Sequence, residues 1–208
     1  MSQHAIPIQV PQEAPFLRNN WKKVLSDAEE HLAKIRCLRG VATITNGRMM
    51  VRTRLPVPDG FYTITRNGQF RPVPRSVLTG MRGGTYPDPD QFMPPFETLK
   101  PFCEIPQDAV RHMIDFAESG VVMSQDLCLT KEGIYLLDNP KHPHFRFPLN
   151  LPAEVIVSAS QLKLALIEMM RYDSIYLFRE NWEQYTPLVL GHNWESCALV
   201  SVPRIFQG

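Results

Sequence analysis

From Pro15 onward the apolar residues recur at helical spacing. Leu17, Trp21, Val24, Leu25, Ala28, Leu32 and Ile35 fall on one face, while Arg18, Lys22, Lys23, Asp27, Glu29, Glu30 and Lys34 fall on the other. This pattern predicts a helix over residues 15–36, ended by Gly40. Upstream, AIPIQV (5–10) reads as a short extended piece that Pro7 confines to an edge or an arm. The period then changes. VATIT (41–45) and RMMVRTRL (48–55) flank Asn46-Gly47, a strong hairpin signal because both residues tolerate the left-handed turn. DGFYTIT (59–65) is a third strand, and with the turn that follows, YTITRNGQF begins a further hairpin. Residues 66–100 are rich in Pro, Gly and Arg and show little periodicity.

The second half alternates more regularly. IPQDAVRHMIDFAES predicts a helix with Val110, Met113, Ile114 and Ala117 inward. GVVMSQ, DLCLT, GIYLLD, HFRFPL and AEVIVS read as extended segments. ASQLKLALIEMMRY predicts a second helix with Leu162, Ala165, Leu166 and Met169 inward, and SIYLFRE, TPLVLGH and CALVSVPRI close the chain as strands. Residues 101–208 therefore read as strand–helix–strands used twice, with the helix at 15–36 and its strands as one more copy. The expected fold class is α+β, with helices laid on one face of antiparallel sheets. The expected domains are 1–98, including the Pro/Gly-rich connector, and 99–208.

Composition narrows the function classes. The chain has 208 residues, 44% of them hydrophobic, which suits one large or two small domains with a real core. A net charge of +1 argues against coating nucleic acid wholesale but leaves room for a local basic patch. Cys37, Cys103, Cys128 and Cys197 are widely spaced, with no C-x-x-C pair, so a cysteine zinc site is disfavoured and a reduced, cytoplasmic setting fits. The N-terminus lacks a signal-peptide pattern, and no apolar run is long enough to span a membrane.

Candidate chemistry is sparse. His142 and His144 alternate around Pro143 and raise the alternative of a small metal-dependent hydrolase, yet a surface loop explains them more simply. Ser158 and Ser160 precede a helix and read as N-caps rather than nucleophiles. Asp88 and Asp90 read as turn residues and caps. No nucleophile-elbow, P-loop or dinucleotide fingerprint occurs, so no catalytic residue, metal ligand or cofactor is assigned. The basic residues Arg18, Lys22, Lys23, Lys34, Arg36 and Arg39 lie on the first helix and its exit, and Arg48, Arg52 and Arg54 follow strand spacing.

Three segments resemble the DNA sliding clamps of bacteria and phages, the β subunit of the replicative polymerase. Thr45, Asn46, Gly47, Arg48 and Met49 are similar to the clamp segment T-D-G-H-R-L, with Asn for Asp and no His. Gly84, Tyr86, Pro87, Asp88, Met93 and Pro94 are similar to G-x-F-P-D-[YW] and the apolar-Pro pair after it. The C-terminal helix, three strands and Val202-Pro203-Arg204-Ile205 tail resemble the last clamp half-domain. The resemblance covers residues 41–65, 83–95 and 155–206.

It implies a non-enzymatic processivity factor of a phage or mobile element, working in the bacterial cytoplasm. Such a protein encircles double-stranded DNA without reading sequence and tethers a polymerase or clamp-loader-type protein. With length for two domains, a closed ring implies a homotrimer. By position, Arg18, Lys22, Lys23, Arg111, Lys163 and Arg171 are the expected phosphate contacts. Leu188, Val202, Pro203 and Ile205 are the expected groove for partner peptides. An alternative under the same resemblance is a clamp-fold protein that binds a replication or defence partner as a decoy without loading on DNA.

Overall fold

The computed structural model describes residues 15–65, 67–79, 86–92, 99–118, 126–137, 145–179, 186–193 and 196–200, with the side chains of 15–19, Thr79 and Phe92 left aside. The chain forms two compact units, Met1–Phe92 and Met93–Gly208.

The first unit opens with helix α1 (Pro15–Ser26), followed by strands β1 (Ile35–Leu38), β2 (Val41–Thr45), β3 (Met49–Arg54), β4 (Gly60–Ile64) and β5 (Phe70–Pro72). Its five strands run in the order β5-β4-β1-β2-β3, each neighbouring pair antiparallel. Two short helices, α2 (Arg75–Thr79) and α3 (Pro89–Phe92), follow.

The predicted helix over 15–36 is therefore too long. It stops at Ser26, and Ile35 begins a strand instead. The reason lies at the next turn. Arg39 (φ 52°) and Gly40 (φ 74°) are both left-handed, and Leu38 pairs with Val41 across them. Two consecutive left-handed residues make the tight hairpin turn that matches strand twist, so Gly40 closes a hairpin rather than a helix. The second hairpin forms as expected. Asn46 Oδ1 accepts the backbone N–H groups of Arg48 (3.0 Å) and Met49 (2.9 Å), an Asx turn.

Period 2 sorts the sheet of the first unit into two faces. Ile35, Ala42, Ile44, Val51, Tyr62 and Phe70 lie on the face covered by α1 and are buried. Trp21 of α1 stacks on Phe70 at 5.8 Å between ring centroids and is 1% exposed. An aromatic of that size removes on the order of 200 Å² of surface from water, roughly 5 kcal/mol before entropy is counted. The opposite face carries Arg36, Thr43 and Arg52 in one row, each directly across from the next.

The second unit contains β6 (Cys103–Pro106), α4 (Gln107–Glu118), β7 (Asp126–Thr130) and β8 (Gly133–Leu136), then β9 (Val155–Ser158), α5 (Ala159–Met169), β10 (Ser174–Phe178), β11 (Leu188–Asn193) and β12 (Ser196–Val200). The expected duplication is visible as strand–helix–strands twice. Each half gives its first strand to the sheet of the other: β6 pairs with β10, and β9 pairs with β7. The result is one sheet ordered β12-β11-β10-β6 and one ordered β8-β7-β9, with α4 and α5 packed against each other. The predicted inward residues of both helices are buried. The strand expected before the first of these helices is β6; it runs directly into α4 and takes Ile105 and Pro106, which the helical pattern includes in the helix. GVVMSQ lies outside the described residues; of HFRFPL, Phe145 forms a two-bond bridge to Ile134 at the edge of β8.

Candidate functional site

Charge on the helices is uneven. Helix α1 carries Arg18, Lys22 and Lys23 and no acidic residue. Lys23 is exposed and sits in the last turn, where the helix dipole favours a cation; Lys22 is half-buried. Arg18 stands one turn before Lys22, its side chain outside the described residues. Helix α4 is different: Asp108, Asp115 and Glu118 outnumber Arg111, its one cation apart from His112. Arg111 is exposed and reaches back to Gln107 Oε1 at 3.5 Å. Lys163 of α5 is held in an ion pair with Glu118 Oε1 at 2.8 Å. Arg171, just past α5, lies over the Tyr172 ring at 5.1 Å, and Tyr172 stacks on His192 at 4.6 Å. The six expected phosphate contacts therefore differ in availability. Lys163 of α5 is held by Glu118, whereas α1 has no acidic residue of its own.

Of the expected peptide groove, Leu188 begins β11, is fully buried and pairs with Val200. Val202, Pro203 and Ile205 lie outside the described residues, as do His142 and His144. Among the described residues there is no group of three or more side chains able to hold a metal, and no helix is long and apolar enough to cross a membrane.

Two features were not anticipated. Asp88 and Asp90 do more than shape a turn. Asp88 Oδ1 meets Arg36 Nη1 at 2.8 Å, and Asp90 Oδ1 meets Arg52 Nη1 at 3.0 Å. The segment from Tyr86 thus lies along the Arg36–Thr43–Arg52 row. The Tyr86 hydroxyl donates to the Thr43 carbonyl at 3.2 Å, and its ring sits edge-on to Phe61 at 5.4 Å. A cavity of about 10 Å³, room for about one water, remains between Arg36, Leu38, Val41, Thr43, Arg52, Pro89 and Asp90. The hydrogen bond from Arg36 holds the Asp88 carboxyl below the usual carboxylate range, against some desolvation. Burial pushes the Tyr86 phenol well up. The two-residue spacing of the aspartates was visible in the sequence, but the arginines that receive them lie 52 and 38 positions away. The other concerns Ser158. It occupies the N-cap position of α5 with extended backbone but makes no capping bond through its side chain; its hydroxyl lies 3.0 Å from that of Ser160.

A helix on an antiparallel sheet and a duplicated strand–helix–strand unit with exchanged first strands fit the resemblance to the DNA sliding clamps. Solved structures bear this out at the level of fold. The chain is similar to a Helicobacter pylori beta clamp bound to a DNA ligase peptide (14% identity, TM-score 0.57, covering 99% of this chain and 67% of that one). It is similar to a sliding clamp, DNA polymerase III subunit beta, from Bartonella birtlesii bound to griselimycin (13% identity, TM-score 0.54, 90% and 65%). It is also similar to the DNA polymerase III beta subunit of Thermotoga maritima (12% identity, TM-score 0.52, 99% and 67%). The chain spans about two thirds of the length of these clamps. No family model matches the sequence, and no curated protein matches it. The chain has a clamp-like fold.

Proposed function

We propose that this protein is a processivity factor of the sliding-clamp type, which holds replication proteins on duplex DNA. The observation that supports it most is the clamp fold over 99% of the chain. The charge of α1 supports it independently. Three cations with no acid on one helix suit phosphate contacts that are salt-sensitive and blind to sequence. In this reading Arg18, Lys22 and Lys23 carry most of the attraction, with Arg111, Lys163 and Arg171 assisting. Residues 1–98 and 99–208 act as two clamp-like domains, and three chains close a ring of six domains. Val202, Pro203 and Ile205, with the buried Leu188 as its floor, form a groove for a polymerase or loader peptide, and the setting is the cytoplasm of a bacterial cell carrying a phage or mobile element.

The test is retention on circular against linearised DNA in the presence of a clamp loader, with the mass in solution measured by light scattering. A ring gives about 72 kDa, three chains of 23.9 kDa, and stays on circular DNA but runs off linear DNA. A monomer at micromolar concentration with equal loss from both substrates refutes the ring.

The acidic bias of α4 and the Lys163–Glu118 pair favour a second reading, a clamp-fold decoy that binds a replication or defence protein without loading. It is supported if circular DNA is not retained while a partner protein is captured through the groove.

A further inference from the structure

The outer face of the β8-β7-β9 sheet carries a cleft that the clamp reading does not use. Leu127, Leu129, Ile134, Leu136, Val155 and Val157 point to the interior and are buried. The alternate positions point away. There Cys128 is flanked in register by Tyr135 and Ile156, and Leu137 follows β8 with 37% of its surface exposed. Cys128, Thr130, Tyr135 and Leu137, with Glu132 and Glu154, line a shallow cleft of about 400 Å³. That volume lies within the range of small-ligand and anchor-residue sites.

The cleft has a charged end. Glu132 Oε2 accepts a hydrogen bond from the Thr130 hydroxyl at 3.0 Å. Glu154 directly precedes Val155, the partner of Leu129, so it lies opposite Thr130. The Cys128 thiol donates to Glu154 Oε2 at 3.8 Å, and burial together with that carboxylate pushes the thiol up to about 11. Two carboxylates thus line the same cleft, Glu132 at Thr130 and Glu154 at Cys128. Among the described residues neither is in an ion pair, and Lys131, exposed in the same turn, bridges to neither.

We propose that this cleft is a docking site for a short protein segment in which a Lys or Arg adjoins an apolar anchor. The anchor rests on Tyr135, Leu137 and Cys128, and the cation meets Glu132 and Glu154. Charge complementarity selects this occupant. A nucleic acid would set its phosphates against two carboxylates, and a metal would lack a third ligand among the described residues. The site is distinct from the expected groove at Leu188, which belongs to the other sheet of the same unit. It requires neither DNA nor ring closure.

The experiment is an amide NMR titration of the full chain with acetyl-Arg-Leu-Phe-amide and, as control, acetyl-Glu-Leu-Phe-amide. The expected result is saturable shifts centred on Cys128, Thr130, Tyr135 and Leu137 with the Arg peptide, and binding at least about threefold weaker with the Glu peptide. That factor is what two exposed ion pairs supply. The double variant Glu132→Gln, Glu154→Gln should lose the preference while keeping the free spectrum elsewhere, since both side chains are at the rim. Leu137→Ser should weaken both peptides. Absence of shifts at millimolar peptide, shifts centred elsewhere, or an Arg preference that survives the double variant would each overturn the proposal.

Discussion

Replacing Gly133 with Ala tests the packing logic of the second unit. Gly133 opens β8 at φ 148°, where side-chain-bearing residues are rarely found. A Cβ there would lie 2.1 Å from the Phe145 carbonyl oxygen and 3.1 Å from the Arg146 Cα. Both are backbone atoms, so no rotamer change relieves the clash. The same carbonyl accepts the Ile134 N–H at 2.8 Å, and the Phe145 N–H donates back to Ile134 at 3.1 Å. Moving it breaks a two-bond bridge. The backbone strain costs on the order of 1–2 kcal/mol, and each lost hydrogen bond about 1 kcal/mol. The expected loss is therefore about 2–4 kcal/mol, a large share of the roughly 5–15 kcal/mol by which domains are stable. Gly40→Ala is the control: its φ is also positive, at 74°, but nothing lies within 4 Å of the new Cβ. It should cost about 1 kcal/mol from the backbone alone. Urea unfolding followed by circular dichroism measures both. If Gly133→Ala costs no more than Gly40→Ala, the close approach of Phe145 is not real and the reasoning fails.

Other consequences are open to measurement. If α1 is the main phosphate contact, Lys22→Ala with Lys23→Ala should flatten the slope of log affinity against log salt for duplex DNA by about two. Lys163→Ala should change it less, because Glu118 already holds that ammonium; equal effects would remove the special standing of α1. Asp88 has its folded pKa depressed by Arg36, so its contribution is present above the ordinary carboxylate range near pH 4 and disappears as pH falls through the folded value. The thermal midpoint should thus drop below about pH 4 in the parent chain, and Asp88→Asn should flatten that drop; parallel profiles would contradict the ion pair. Burial pushes Cys37 up to about 12 and Cys128 to about 11. At pH 8 the thiolate fraction is then about one in a thousand for Cys128 and ten times less for Cys37. Iodoacetamide labelling followed by mass spectrometry should find Cys128 ahead of Cys37 in the native chain and all four thiols fast in urea; native labelling led by Cys37 would refute this ordering.

What the sequence determined alone was whatever depends on near neighbours. The heptad-like spacing of Val110, Met113, Ile114 and Ala117 marks α4, and that of Leu162, Ala165, Leu166 and Met169 marks α5, because a helix brings residues three and four apart onto one face. Asn46-Gly47 marks its hairpin because the turn is made by those residues and the Asn side chain closes it. The duplicated order of the second half followed from these local signals, and with it the α+β class. The helical pattern also misled, since Leu32 and Ile35 kept the period of α1 while the left-handed Arg39-Gly40 turn placed Ile35 in a strand.

Everything carried by distant pairs was decided by the tertiary structure. The exchange of first strands between the two halves of the second unit depends on backbone pairing across tens of residues. The Arg36–Thr43–Arg52 row exists only once three strands align, and only then do Asp88 and Asp90 find their partners. Lys163 reads as a free cation in the sequence, and the packing of α4 against α5 gives it Glu118. Glu132 and Glu154 are 22 positions apart and line one cleft because β9 pairs with β7. Spacing along the chain fixes which residues share an element face, whereas which faces and edges meet is settled by burial and hydrogen bonding over the whole fold, for which no short stretch of sequence carries a signal.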